Sequence, residues 1–436
     1  MNRTDNTPMT FYITTLGCKV NQHESQLMAE NLAEFGMQQQ TRSEGADVII
    51  INSCTVTSTA DQKTRQTLHR LRRENPDAVI CVSGCVPQAC PEKTATLGDA
   101  DIIIGNSNRE SLPGHILHFL KNRAPIVDIA PHTEKSGLSG GIVDFGERSR
   151  AYIKIEDGCN RFCAYCIIPY ARGRVRSRTI EDITRESRML AEAGYREAVL
   201  VGINLSAYGQ DCGLTLADAV RAVASVDGIE RIRLGSVEPD LLTPELFECL
   251  AAEPKFCPQF HMSIQSGCDA TLERMRRRYN TDEYTRLVRS IRKHFDNPSI
   301  TTDIMVGFPG ETDEEFAASL DYFRSVGFAR AHCFIYSRRE GTDAASMPNQ
   351  VRPEIQNSRA AALREAADQA ADEFIRSQVG TIASVLAERL REDGMWEGYS
   401  RNYTPVRFSA DVSRGDIVNI ELTGHGDGYC IGKELN

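Results

Sequence analysis

The sequence predicts an α/β protein in three parts: an N-terminal parallel α/β sheet, a partial (β/α)6 barrel and a small C-terminal β-barrel. Three observations carry this. Apolar runs alternate with amphipathic stretches over residues 11–120, the signature of βα repetition. The alternation pauses, then resumes from residue 151 with six strand candidates. Past an alanine-rich helix the helical period gives way to short β-like runs separated by Gly and Asp turns, as in a small barrel.

The first domain, residues 10–130, reads as FYITTLG, DVIIINS, AVICVSG and DIIIGN strands interleaved with helical stretches such as STADQKTRQTLHRLRREN and RESLPGHILHFLKN. Residues 131–150 follow neither period and are rich in Gly and Ser, which marks a linker. The second domain, 151–376, carries the strands AYIKIED, EAVLVGIN, RIRLGS, QFHMSIQ, SITTDIMVG and AHCFIYS. Six βα units close most of a barrel rather than all of it, and chemistry belongs at the C-terminal ends of such strands. Pro353 opens the alanine-rich helix, and residues 377–436 form the third domain.

A net charge of −10 over 436 residues excludes nucleic-acid binding by bulk electrostatics. Local arginine clusters remain at 65–73, 172–178 and 274–278. Each is either a solvated helix face or an anion-binding rim. No apolar run approaches the length of a membrane span, and the polar start MNRTDNTPMT lacks a signal-like segment, so the cytoplasm is the expected location. Fourteen cysteines in such a chain point to metal ligation or redox chemistry rather than disulfides. Cys212, Cys249, Cys257, Cys333 and Cys430 are isolated and read as small buried hydrophobes.

Cys159, Cys163 and Cys166 follow the first barrel strand in C-x3-C-x2-C spacing, at the mouth. Zinc would need a fourth ligand from elsewhere in the chain. In a four-iron cluster, three thiolates leave one iron open to a substrate or cofactor. Cys18, Cys54 and Cys85 each end an apolar run of the N-terminal domain. Strand ends of an open parallel sheet converge on one edge, so these cysteines form either a second metal site or three separate thiols. Cys81 falls inside a strand, and Cys90 rivals Cys85 as the third ligand.

The segment DGCNRFCAYCIIPYARGR resembles the radical S-adenosylmethionine (SAM) superfamily. That resemblance implies SAM chelated to the open iron by its amino and carboxylate groups, and cleavage by a cluster electron to a 5′-deoxyadenosyl radical. LVGINLSAYG, LGSVEP, SIQSGCDATLERMRRRY and DIMVGFPGETDEEF also resemble family segments. They imply cofactor contacts from Asn204, Ser236 and Gln265, with Glu238 a further candidate; each could instead cap a turn.

TLGCKVNQHES, NSCTVT and SGCVPQ resemble the methylthiotransferases, with Ser53 where Thr is commoner. This implies a second [4Fe-4S] cluster on Cys18, Cys54 and Cys85, and a TRAM-like RNA-binding barrel at the C-terminus. GCKVNQ and NSCTVT most resemble the enzymes acting on N6-threonylcarbamoyladenosine at tRNA position 37. Enzymes for isopentenylated adenosine or a ribosomal protein are the alternatives, and a two-cluster electron carrier is the alternative from another class. In the implied reaction one SAM methylates cluster-bound sulfur, a second yields the radical that removes hydrogen from adenine C2, and no side chain serves as acid or base. The implied partners are the tRNA anticodon stem-loop, a low-potential electron donor such as a flavodoxin or ferredoxin, and a sulfur donor. Arg172, Arg174 and Arg176 after the first strand, and Arg276, Arg277 and Arg278 after the fourth, are expected to rim the mouth and meet phosphates.

Overall fold

A computed structural model describes residues 8–435 apart from 134–137, 139–140, 143–145 and 147. Most of the polar start and half of the expected linker therefore lie outside the described residues.

The N-terminal sheet contains β1 (Thr10–Thr15), β2 (Gln38–Gln39), β3 (Val48–Ser53), β4 (Val79–Gly84), β5 (Ile102–Ile104) and β6 (Ile126–Asp128). All pair in parallel in the order β2-β1-β3-β4-β5-β6. Helices α1 (Lys19–Glu34), α2 (Ser58–Glu74), α3 (Cys85–Ala89) and α4 (Leu112–Asn122) connect them. Every residue of β3 and β4 is buried, which explains their unbroken apolar runs. Val48 and Ile50 pack toward α1 and α4, whereas Ile49 and Ile51 pack toward α2. Strands β2 and β6 carry no apolar signal because they are exposed or half-buried edges. From β1 the chain runs outward to β2 and returns on the other side as β3, so the sheet's switch point lies between the strands preceding Cys18 and Cys54.

The barrel comprises β7 (Arg150–Lys154), a short pair β8 (Glu156–Asp157) and β9 (Arg176–Ser177), then β10 (Glu197–Val201), β11 (Arg231–Leu234), β12 (Ser236–Val237), β13 (Gln259–Met262), β14 (Ser299–Val306) and β15 (Arg330–Ile335). Its helices are α5 (Ile168–Arg172), α6 (Ile180–Glu192), α7 (Leu216–Ala224), α8 (Pro244–Ala251), α9 (Asp269–Arg274), α10 (Thr281–His294) and α11 (Asp313–Val326). RIRLGS is two strands rather than one. Gly235 donates its N–H to Leu200 O at 2.8 Å and stays with β10, while Ser236 and Val237 pair with β13. Strands β7 and β15 are the outer strands of the two resulting sheets, so the barrel is open along that side. Val20, at the start of α1, packs on Val199 and Val201 of β10 and carries the N-terminal domain into the barrel interior. The described part of 131–150 packs rather than spans: His132 Nε2 meets Ala171 O at 3.0 Å, and Ile142 is buried in the barrel core.

Helix α12 (Pro353–Gln378) leads to β16 (Ile382–Leu390), β17 (Trp396–Ser400), β18 (Pro405–Ser409), β19 (Ile417–Gly426) and β20 (Tyr429–Glu434), a closed barrel in the order β16-β17-β18-β20-β19. Ile375 of α12 fills its core beside Val385, Val406, Phe408 and Ile420. Buried Arg233 pairs with Glu197 at 2.7 Å and donates to Ser400 O and Arg401 O at 2.6 Å each, fixing the small barrel to the large one.

Candidate active site

The loops that end β1, β3 and β4 bring Cys18, Cys54 and Cys85 together. Gly17 and Gly84 both have φ +103°, a region that suits glycine. A Cβ on Gly17 would lie 2.6 Å from Cys54 Cβ, and one on Gly84 would lie 2.5 Å from Ser53 O. The Gly-Cys pairs thus let neighbouring loops approach more closely than other residues permit. Buried Ser53 donates to Ser83 O at 2.6 Å and accepts from Val86 N at 3.2 Å, locking the β3 and β4 ends together.

Asn21 organises this site from the first turn of α1. Its Nδ2 donates to Leu16 O at 2.7 Å and Ser53 O at 2.9 Å, and its Oδ1 lies 3.9 Å from Cys18 Sγ and 4.0 Å from Cys85 Sγ. Asn106 Nδ2 approaches Cys85 Sγ at 3.6 Å. Cys81 is buried mid-strand, and Cys90 is buried at the C-terminal end of α3.

The second set lies in the loop between β8 and α5. Cys159 N–H donates to Gly173 O at 3.0 Å and Cys166 N–H to Cys163 O at 2.9 Å. Ala164 is held on both sides, by Met275 O at 3.0 Å and Ala344 N at 2.8 Å. Arg277 Nη1 lies 3.3 Å from Cys163 Sγ, and Asn204 Nδ2 lies 3.8 Å from Cys159 Sγ.

Burial pushes the thiols of Cys54 and Cys159 up to about 11 and that of Cys166 to about 12, each raised further by a neighbouring cysteine. Such thiols stay protonated at neutral pH unless a metal cation displaces the proton. Among the described residues no His, Cys, Asp and Glu side chains converge tightly enough for a single ion. Beside Cys159, Asn204 Oδ1 and Glu156 Oε1 are buried without a hydrogen-bond partner. Glu156 Oε2 accepts from Asn204 N at 2.8 Å, and burial holds this carboxyl well above the usual range. Buried orphan polar atoms of this kind fit a polar cofactor such as SAM.

Of the other residues expected at SAM, Ser236 is exposed on β12. Gln265 adopts φ +67° and bonds through its backbone to Asp303 O and Met305 N at 2.9 and 2.8 Å. Glu238 forms an ion pair with Arg277.

The expected arginine rim requires correction. Arg172 is fully buried, donating to Glu24 and to Asn21 Oδ1 at 2.6 Å. Arg176 is buried and bonded to Arg174 O at 2.7 Å and Arg172 O at 2.9 Å. Arg277 is spent on Glu238 and Cys163. Arg172 is internal because α1 covers it, whereas Arg176 and Arg277 are held by the barrel's own loops. Arg174 is exposed over Phe162 at 4.8 Å, Arg276 is exposed beside Asp343, and Arg278 is exposed. On α2, Arg70 and Arg72 pair with Glu74 and Asp101 as part of a helix face. Two isolated cysteines also differ from expectation: Cys212 and Cys249 are exposed, Cys333 is half-buried, and Cys257 and Cys430 are buried.

The two cysteine sets are joined by α5. Six residues beyond Cys166, Arg172 reaches Asn21, and Ala171 O accepts from Asn106 Nδ2 at 3.1 Å, the same amide that approaches Cys85. Asn21, Asn106 and Glu24 were not apparent as site residues from sequence, although Asn21 stands in GCKVNQ at a helical spacing from Cys18.

Residues 10–105 match the Uncharacterized protein family UPF0004, and 153–323 match the Radical SAM superfamily. The superfamily implies SAM and a [4Fe-4S] cluster. The chain is 36% identical over 427 residues to threonylcarbamoyladenosine tRNA methylthiotransferase MtaB of Bacillus subtilis, covering 96% of this chain and 95% of that protein. It is 37% identical over 430 residues to the tRNA-2-methylthio-N(6)-dimethylallyladenosine synthase of Pelotomaculum thermopropionicum, covering 95% of each. The solved radical SAM methyltransferase TsrM from Kitasatospora setae shares the fold at TM-score 0.55 and 15% identity, covering 76% of this chain and 75% of that one. With both families matched and such relatives aligned along nearly its whole length, the chain belongs to the radical SAM methylthiotransferase family.

Proposed function

We propose that this enzyme converts N6-threonylcarbamoyladenosine at tRNA position 37 to its 2-methylthio derivative, using two [4Fe-4S] clusters and SAM. The observation that carries this reading is the bridging of two three-cysteine loops by one short helix, α5, through Arg172–Asn21 and Ala171–Asn106. Chemistry that removes hydrogen from a carbon and delivers sulfur to it needs both centres beside one target atom.

Cys159, Cys163 and Cys166 would hold one cluster, and Cys18, Cys54 and Cys85 the other. When bound, these groups supply the radical chemistry and the sulfur. The chain's own residues do the rest. Asn204 and Glu156 present unpartnered polar atoms to SAM, with Ser236 and Gln265 at neighbouring strand ends. Arg277 holds Glu238 beside Cys163. Helix α1 of the N-terminal domain packs against the barrel through Val20 and Asn21.

A substrate feature favours threonylcarbamoyladenosine over the dimethylallyl alternative carried by several relatives. Lys19, the residue after Cys18, is exposed and makes no hydrogen bond or ion pair among the described residues. Its basic neighbours Arg150 and Arg233 are already paired with Glu388 and Glu197, which leaves the Lys19 ammonium as the unpaired charge beside Cys18. An unpaired ammonium suits the threonyl carboxylate and offers nothing specific to an apolar group.

The RNA itself suits a cleft of ≈ 560 Å³ on the barrel's open side, where β7 and β15 face the small barrel. Arg148, Arg330, Arg389 and Arg414 are exposed there, and Arg407 lies 3.7 Å over the Tyr429 ring. Arginines for phosphates beside tyrosines for unstacked bases match single-stranded loop recognition. A low-potential electron donor and a sulfur donor complete the proposed partners, and the cytoplasm is the proposed location.

Anaerobic reaction of the two-cluster protein with tRNA from a strain deleted for this gene, followed by nucleoside mass spectrometry, tests the reading. Methylthiolated threonylcarbamoyladenosine is the expected product. Its absence with both clusters verified, or product on isopentenylated adenosine alone, overturns the assignment.

A further inference from the structure

Arg172 lies on the helix that follows one cysteine set, yet its guanidinium ends at the other. It is fully buried, it donates to Asn21 Oδ1 at 2.6 Å and to Glu24 Oε2 at 2.9 Å, and it lies 3.6 Å from Asp157 Oδ2. Asn21 Oδ1 in turn lies within 4.0 Å of both Cys18 Sγ and Cys85 Sγ. Glu24 is shared with Arg109 at 2.5 Å and Lys154 at 2.7 Å, so it does not neutralise Arg172 alone. A guanidinium cannot shed its charge, and in a dry interior that charge acts strongly on neighbouring groups.

We propose that Arg172 is a positioning residue that sets the charge environment of the Cys18–Cys54–Cys85 site and raises the reduction potential of the cluster held there. The inference rests on the two-cluster reading. A fixed cation favours the form that carries the extra electron, and charge and hydrogen bonding near the sulfurs are established determinants of cluster potential. Because the same residue is tethered to the loop of Cys159, Cys163 and Cys166, it also fixes how that loop sits against Asn21.

The test uses the full-length chain with Cys159, Cys163 and Cys166 replaced by Ala, reconstituted anaerobically with iron and sulfide so that one cluster reports. Redox titration followed by electron paramagnetic resonance is expected to place Arg172→Gln at a more negative potential and Glu24→Gln at a more positive one. Arg172→Lys should recover most of the first shift. Arg109 and Lys154 continue to pair with Glu24 in Arg172→Gln. If that variant nevertheless holds no cluster, Glu24→Gln decides the matter by its sign. Unchanged potentials, or shifts of the same sign, overturn the proposal. In the enzyme with all its cysteines, tRNA affinity of Arg172→Gln should keep its salt dependence; a flattened slope returns Arg172 to an RNA-contacting role and also overturns it. Iron for one cluster only in that parent enzyme defeats the two-cluster reading, and this inference with it, which a null redox result does not do.

Discussion

Arg339 and Asp61 pair at 2.5 Å across the seam between the end of the barrel and the start of α2. The same guanidinium donates to Thr55, the residue after Cys54, and Thr55 donates to Asp61 at 2.8 Å. The Cys54 loop is therefore clamped by a residue far away in sequence. Arg339→Ala should cost about 2 kcal/mol, the scale of a charge-assisted hydrogen bond in a mostly buried setting. Thermal unfolding of the cluster-free protein measures that loss, and faster iron release from the N-terminal site should accompany it.

Gly17 gives a sharper local test. A methyl group there would approach Cys54 Sγ to 2.8 Å, on a backbone at φ +103°. Gly17→Ala should reduce iron at the N-terminal site while the Cys159–Cys163–Cys166 site fills normally. Iron analysis in backgrounds lacking one or the other cysteine set separates the two.

Lys19 is the residue on which substrate choice is expected to turn. Removing a charged partner from a carboxylate should lower kcat/KM for threonylcarbamoylated tRNA by roughly ten- to a hundredfold. Lys19→Gln should not lower activity on isopentenylated tRNA, if the parent has any. Equal losses on both substrates, with iron content intact, would remove Lys19 from substrate selection.

The cleft arginines should govern tRNA affinity. Replacing Arg148, Arg330 and Arg414 together by Gln, cleft arginines that no carboxylate engages among the described residues, should weaken binding and flatten its salt dependence by about 0.7–0.9 for each phosphate no longer neutralised. Arg276→Gln with Arg278→Gln serves as the comparison, since Arg276 is already engaged by Asp343. Arg277 belongs in a different experiment, because its removal disturbs Cys163.

Acid should expose the Glu24 network. Burial works to raise this carboxyl, but Arg109, Arg172 and Lys154 outweigh it and hold it well below the usual range. A depressed folded value means that its stabilisation is complete above the unfolded pKa of about 4.3 and disappears as pH falls through the lower folded value. Mild acidification to just below that unfolded value should leave most of this contribution in place. Glu24→Gln should be less stable than the parent at neutral pH, with the difference narrowing only in stronger acid.

The sequence revealed the cysteine loops because ligands need fixed residue types at fixed spacing, and it revealed the central strands because burial on both faces leaves long apolar runs. It did not reveal β2 or β6, whose edges need no apolar residues. The arginine rim failed for a related reason. RGRVRSR looks solvated when read alone, and only the covering helix α1, with its Glu24 and Asn21, makes Arg172 internal. Pairings between residues 148 positions apart leave no local trace.

Ile375 occupies the centre of the terminal barrel, and Arg233 binds the carbonyls of Ser400 and Arg401. That barrel is consequently not a bead on a flexible string. On the proposed reading, an RNA loop that meets the cleft would encounter both of its walls already aligned, with no conformational search by a tethered module to freeze out when it docks. Recognition and delivery of the base would then be one rigid-body event, with misfit at the distant phosphates transmitted to the two cysteine loops.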